Sequence, residues 1–300
     1  MKSWVKTTAL LIVLGGLHGA LFAQWPNYPT PAVPKGADGK PDLTGPVPRT
    51  ADGKPDLSGI WTIVGRPRPA PTDGSIPGQL PLSPPPAPAP ATPPPVGGIG
   101  LGPPPPNGSP FFNIGITLKD GLPFTPWAKE LRAQRSGENN KDNPDAHCLP
   151  LGLMQLHLHP QPRKIIQTPK LIVILYEAQA GVRQIFMDGR PLPKDDPQPW
   201  WYGYSIGHWD GDTLVVETTG FRDDVWLDVE GSPLTNTGKM TERFRRVNYG
   251  NLEIEITVED PKAYTKPWTV TVKQRVMLDT DLIEFICGEN EKSVVHLVGK

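Results

Sequence analysis

The chain has 300 residues, with 30 basic and 31 acidic side chains and a net charge of -1, so its electrostatics favour capture of neither nucleic acid nor an anionic membrane. Forty prolines, 40 by count, and 31 glycines are far above ordinary usage, and the length allows one large or two small domains. No motif in the chain calls for a cofactor.

Residues 1–23 read as a cleavable secretory signal, with Lys2 and Lys6 as the positive end, an apolar run from Ala9 to Leu17 and a small-residue exit at Ala20 to Ala23. The run is about half of the roughly 18 apolar residues a spanning helix needs, so the expectation is cleavage after Ala23, no stable membrane insertion afterwards, and a periplasmic or secreted protein. Residues 24–56 form an extended N-terminal segment. Within and just beyond it, Ala37-Asp38-Gly39-Lys40-Pro41-Asp42-Leu43-Thr44-Gly45 returns as Ala51-Asp52-Gly53-Lys54-Pro55-Asp56-Leu57-Ser58-Gly59. Pro46 and Pro48 would interrupt a strand after the first copy, which is therefore expected to be a slipped copy without a packing role. Residues 57–300 read as a single β domain carrying a Pro/Gly-rich, disordered insertion at 66–110, where proline runs remove the backbone donors that a sheet requires.

From Leu118 onward, short apolar blocks alternate with turn residues. Leu252, Ile254, Ile256 and Val258 alternate with polar residues, the period of two that puts one strand face in a core. Comparable strands are predicted at Leu57–Val64, Ile165–Gln167, Leu171–Glu177, Val182–Met187, Tyr202–Trp209, Thr213–Thr218, Lys239–Val247, Thr269–Leu278, Leu282–Cys287 and Val294–Val298. Asp188-Gly189, Asp210-Gly211-Asp212 and Tyr249-Gly250-Asn251 supply hairpin turns. The fold class is thus all-β, an antiparallel meander closing into a barrel or folding into a two-layer sandwich. One short helix is expected from Pro126 to about Gln134, capped by Thr125.

Cys148 and Cys287 are an even pair in a chain predicted to be exported, which favours a disulfide. His157 and His159 would share a face if their segment were extended, as two ligands of one metal ion do, but no third ligand lies nearby in sequence. His208 is a further acid-base candidate. Among the turn acids, Asp188, Asp210 and Asp228 are the candidate catalytic carboxylates. Aromatic and basic residues near strand ends, Trp61, Arg183, Arg190, Trp201, Tyr202, Trp209, Trp226 and Trp268, are candidates for lining a ligand pocket; the rings could equally plug a barrel end.

The segments Asp52-Gly53-Lys54-Pro55-Asp56-Leu57-Ser58-Gly59-Ile60-Trp61, Trp209-Asp210-Gly211-Asp212-Thr213-Leu214-Val215-Val216, Thr241-Glu242-Arg243-Phe244-Arg245-Arg246 and Tyr264-Thr265-Lys266-Pro267-Trp268-Thr269 together resemble a family of exported bacterial proteins of unknown function. Gly59-Ile60-Trp61 is similar to the Gly-x-Trp start of lipocalin-type barrels, a resemblance that implies a tryptophan closing one barrel end under a basic side chain. The leading expectation is an exported protein that binds a small amphipathic molecule. The alternatives are a periplasmic hydrolase or lyase acting on a carbohydrate-like substrate, and an envelope interaction protein.

Overall fold

The computed structural model describes residues 28–64, 110–194 and 198–289. The segment read from sequence as a secretory signal, most of the Pro/Gly-rich insertion, Asp195 and Asp196, and the strand expected at Val294–Val298 lie outside the described residues.

Nine strands close into a barrel in the order β1, β11, β10, β9, β6, β5, β4, β3, β2. They are β1 (Gly59–Ile63), β2 (Arg163–Gln167), β3 (Leu171–Tyr176), β4 (Gly181–Phe186), β5 (Tyr204–Asp210), β6 (Thr213–Thr219), β9 (Lys239–Arg246), β10 (Asn251–Glu259) and β11 (Trp268–Met277). A two-stranded excursion, β7 (Val225–Trp226) and β8 (Pro233–Leu234), lies between β6 and β9. The all-β expectation therefore resolves to a lipocalin-like barrel rather than a sandwich. Two details differ from an antiparallel meander. β4 and β5 run parallel, pairing Ile185 with Ser205 and Phe186 with Ile206, because the connection 187–203 is too long for a hairpin and returns the chain to the starting end. Residues 282–287 form no strand: Ile283, Phe285 and Ile286 are exposed, and the segment has no sheet neighbour to pair with.

Period-two patterning builds the core. On β10, Leu252, Ile254, Ile256 and Val258 all point inward and are fully buried, each contributing about 1.5–3 kcal/mol of burial. At the β1 end, Trp61 is buried, its indole Nε1 donates to the Leu57 carbonyl at 2.9 Å, and the Arg246 guanidinium lies 4.9 Å from its ring centroid.

The first copy of the duplicated segment packs after all. Both copies make the same turn, with Gly39 and Gly53 at φ 77° and 78°. The backbone amides of Tyr249 and Gly250 donate to Gly45 and Leu43 at 2.9 and 2.8 Å, so the first copy docks on the β9–β10 turn while the second feeds β1. Docking draws on carbonyl acceptors of the first copy rather than on its backbone donors, which is why the prolines after it do not prevent it.

Helix α1 (Pro126–Gly137) begins as expected, with the Thr125 hydroxyl accepting from Ala128, but runs three residues past Gln134. A second helix, α2 (Leu153–Leu158), was not expected from sequence, and it removes the extended geometry under which His157 and His159 would share a face. Its six residues are all buried, so it lacks the polar face by which an amphipathic helix is recognised. Gly152 precedes it because a Cβ there would sit 2.1 Å from the Trp226 carbonyl oxygen. Cys148 and Cys287 are bonded to each other, with Cα atoms 5.4 Å apart, tying the loop before α2 to the segment after β11.

Candidate functional site

Two regions concentrate chemistry: a polar layer inside the barrel and a groove outside it.

The polar layer begins with β9, where Met240, Glu242 and Phe244 share the inward face. Glu242 is fully buried and engaged from two sides. Arg183 of β4 donates to both carboxylate oxygens, through Nη1 to Oε1 at 3.0 Å and through Nη2 to Oε2. His157 of α2 meets Oε1 through Nε2 at 2.6 Å. A carboxylate only accepts, so Nε2 carries the proton and Nδ1, buried and without a partner, is bare. Arg183 also donates to the Ser205 and Thr218 hydroxyls, which bond each other at 2.9 Å. Burial pushes the Glu242 carboxyl up, but Arg183 and then His157 outweigh it and hold it down at about 2. Burial keeps His157 below its ordinary value, against the pull of Glu242, and it is neutral. Beside this triad stand Arg163 of β2, Tyr176 of β3 and Gln274 of β11, with Arg163 and Gln274 both reaching the His157 carbonyl. Glu242 and Arg183 are held in place by their own partners, whereas Arg163 Nε and the Tyr176 hydroxyl proton lack acceptors.

The groove lies between α1 and β7 and encloses about 270 Å³. Leu131, Gln134 and Arg135 line it from α1, Glu138, Asp142, Pro144 and Leu149 from its C-cap and the following loop, and Trp201, Asp224 and Trp226 from the barrel side. The Arg135 guanidinium stands 4.4 Å from the Trp226 ring, and that of Arg222 4.5 Å from the Trp201 ring. Arg222 clamps Asp224 with two hydrogen bonds of 2.8 Å, which hold that carboxyl below its ordinary range. Burial lowers Arg135 to about 10, leaving it protonated at neutral pH.

The residues singled out from sequence scatter. Trp201 and Trp226 meet at the groove. Arg183 belongs to the interior network, and Trp61 and Trp268 are core residues, Trp268 edge-on to Tyr264 at 5.4 Å. Tyr202 packs toward Tyr176 with ring centroids 6.1 Å apart, and Trp209, on the face of β5 that carries Ser205, packs half-buried against the core. Arg190 sits on the surface over Phe186 at 4.0 Å, paired with Asp188. The three acids do not converge. Asp188 binds Arg190, Asp210 binds Arg243 at 2.9 Å, and Asp228 is buried as a loop brace that accepts from Ile114, Ser232 N and Ser232 Oγ. His157 and His159 part: the first enters the barrel, while the second lies edge-on to Phe111 at 5.3 Å. Among the described residues no three His, Cys, Asp or Glu side chains gather as a metal site would require.

Glu242 is the interior residue that sequence reasoning passed over. Its signal is present, since the alternation Met240-Thr241-Glu242-Arg243-Phe244 puts a carboxylate in phase with two apolar residues.

No family model matches the chain, and neither a curated protein nor a solved structure matches it.

Proposed function

We propose that this is an exported protein that binds a small amphipathic molecule in the groove between α1 and β7. The carrying observation is the pair of tryptophans, Trp201 and Trp226, meeting in one concave site with Asp224 and Arg135 at its edge. Indole faces take up a flat apolar group, and convergent polar groups orient it. Arg222 pairs with Asp224 and Lys141 with Glu138, which leaves Asp142 to face Arg135, so the polar end that fits best is a hydrogen-bonding group such as an amine. At about 270 Å³ the groove takes a small ligand or the head of a longer one. The interior is a poorer host, because Trp61, Phe244, Arg183 and the residues of α2 already fill it. Export is supported by the signal-like residues 1–23 and by the Cys148–Cys287 bond, of a kind that persists in oxidising compartments.

The test is mass spectrometry of molecules that co-purify, followed by titration of amphipathic aromatic amines while tryptophan fluorescence is read. Saturable quenching that Trp201→Ala weakens at least about tenfold supports the reading. A flat titration across the panel with nothing co-purified overturns it.

A further inference from the structure

The interior layer holds two guanidinium groups, of Arg163 and Arg183, but a single carboxylate. Glu242 is committed to Arg183 and His157, and His157 is neutral. Arg163, 1 % exposed, donates only to backbone carbonyls, those of His157 at 2.9 Å and His159 at 3.2 Å. Among the described residues no carboxylate pairs with it, and its Nε has no acceptor. Directly across the β2–β3 ladder from Arg163 stands Tyr176, with its side chain on the same inward face. Its hydroxyl is buried beside the Arg183 guanidinium, and its own proton has no acceptor. Residues opposite one another on one face of an antiparallel pair are immediate neighbours. Two orphan donors and one uncompensated positive charge therefore lie side by side in the barrel.

A buried charge without a counter-charge is among the costliest arrangements a protein can hold. The carbonyls at the end of α2 offer only partial negative charge. Burial lowers Arg163 to about 10, which leaves it protonated at neutral pH. A water molecule would satisfy the donors but not the charge; a small anion satisfies both. The neighbouring Trp61, Ile165 and Ile174 are fully buried and fill the surrounding interior, so the occupant has one or a few atoms.

We propose that the barrel interior is a binding site for a monovalent anion of halide size, held between the guanidinium of Arg163 and the hydroxyl of Tyr176. Chloride and bromide are the probes. Crystals of the full chain soaked in bromide should show an anomalous peak within hydrogen-bond distance of Arg163 Nε and Tyr176 Oη. In solution, the thermal midpoint should rise saturably with chloride when gluconate keeps the ionic strength constant. Tyr176→Phe removes only the hydroxyl and should raise the chloride concentration at half-effect severalfold; Arg163→Met should abolish the chloride response. If Arg163→Met does not fold, the bromide peak and Tyr176→Phe still decide the matter. A water-sized feature without anomalous signal, a bromide peak only at the surface, or identical midpoints in chloride and gluconate would each overturn the proposal.

Discussion

Replacing Glu242 by glutamine removes one charge and keeps the shape. Arg183 then stays buried with no counter-ion, and the Nε2–H of His157 faces an amide instead of a carboxylate. Two independent routes give the size of the effect. The carboxyl is held at about 2 against an ordinary 4.5, and at about 1.4 kcal/mol per unit that difference is worth about 3 kcal/mol. Breaking a buried ion pair by removing one partner costs about 3–5 kcal/mol. Urea unfolding at pH 7, with the disulfide intact, should therefore show Glu242→Gln destabilised by about 3–5 kcal/mol. The combined Glu242→Leu and Arg183→Met variant should recover part of that loss, because it removes both charges while Ser205 and Thr218 still satisfy each other, with the orphaned Nε2–H of His157 left as the remaining cost. A cost for Glu242→Gln below about 1 kcal/mol, or a double variant less stable than either single one, would refute the account of the interior as a charge-paired lock.

Acid should weaken the fold in two stages. His157 and His159 are both held below their ordinary value by burial, His159 to about 4, so the unfolded chain takes up protons that the folded chain refuses. Stability is complete above about pH 6.5 and falls as pH drops toward 4, and Glu242 adds a second loss as pH falls from about 4.5 toward 2. Urea midpoints measured from pH 7.5 to 4.5 should show the first stage, and His159→Asn should flatten it. Reducing Cys148–Cys287, or replacing both residues by serine, should lower stability by about 4–5 kcal/mol, given the long loop that the bond closes, as read by calorimetry with and without reductant. Gly152→Ala should cost at least the upper end of about 1–3 kcal/mol in urea unfolding, because its methyl would meet the Trp226 carbonyl at 2.1 Å and backbone cannot move aside as a side chain can. Gly250→Ala should loosen the docked N-terminal copy, whose Leu43 Cβ lies 2.6 Å from the new methyl, and speed tryptic cleavage after Lys35.

Most strands were legible because alternation is a local signal. Leu252 to Val258 names its own inward face, and the Asp-Gly turn at Asp210-Gly211 ends β5 where the pattern stops. Leu282–Cys287 shows the same local apolarity but is no strand, since a strand also needs a neighbour with free backbone groups. Helix α2 was hidden for the opposite reason: buried all round, it shows neither period. At the groove, Trp201 and Trp226 could be flagged as exceptional residues, but their meeting depends on α1 packing against the β7 excursion, which no local pattern encodes.

By itself the sequence determined the strand faces, the turns at Asp210-Gly211 and Tyr249-Gly250 though not a hairpin at Asp188-Gly189, the cap of α1 and the pairing of its two cysteines. All of these follow from residues within a few positions of one another or from a choice with a single solution. Tertiary structure alone decided which strands are neighbours, the parallel step between β4 and β5, and the docking of the first repeat copy. It also brought Arg163, Tyr176, His157, Arg183 and Glu242 into one layer from five separate elements. Burial then raised the cost of every unpaired charge there, so side chains that would be unremarkable in water became the most consequential in the molecule.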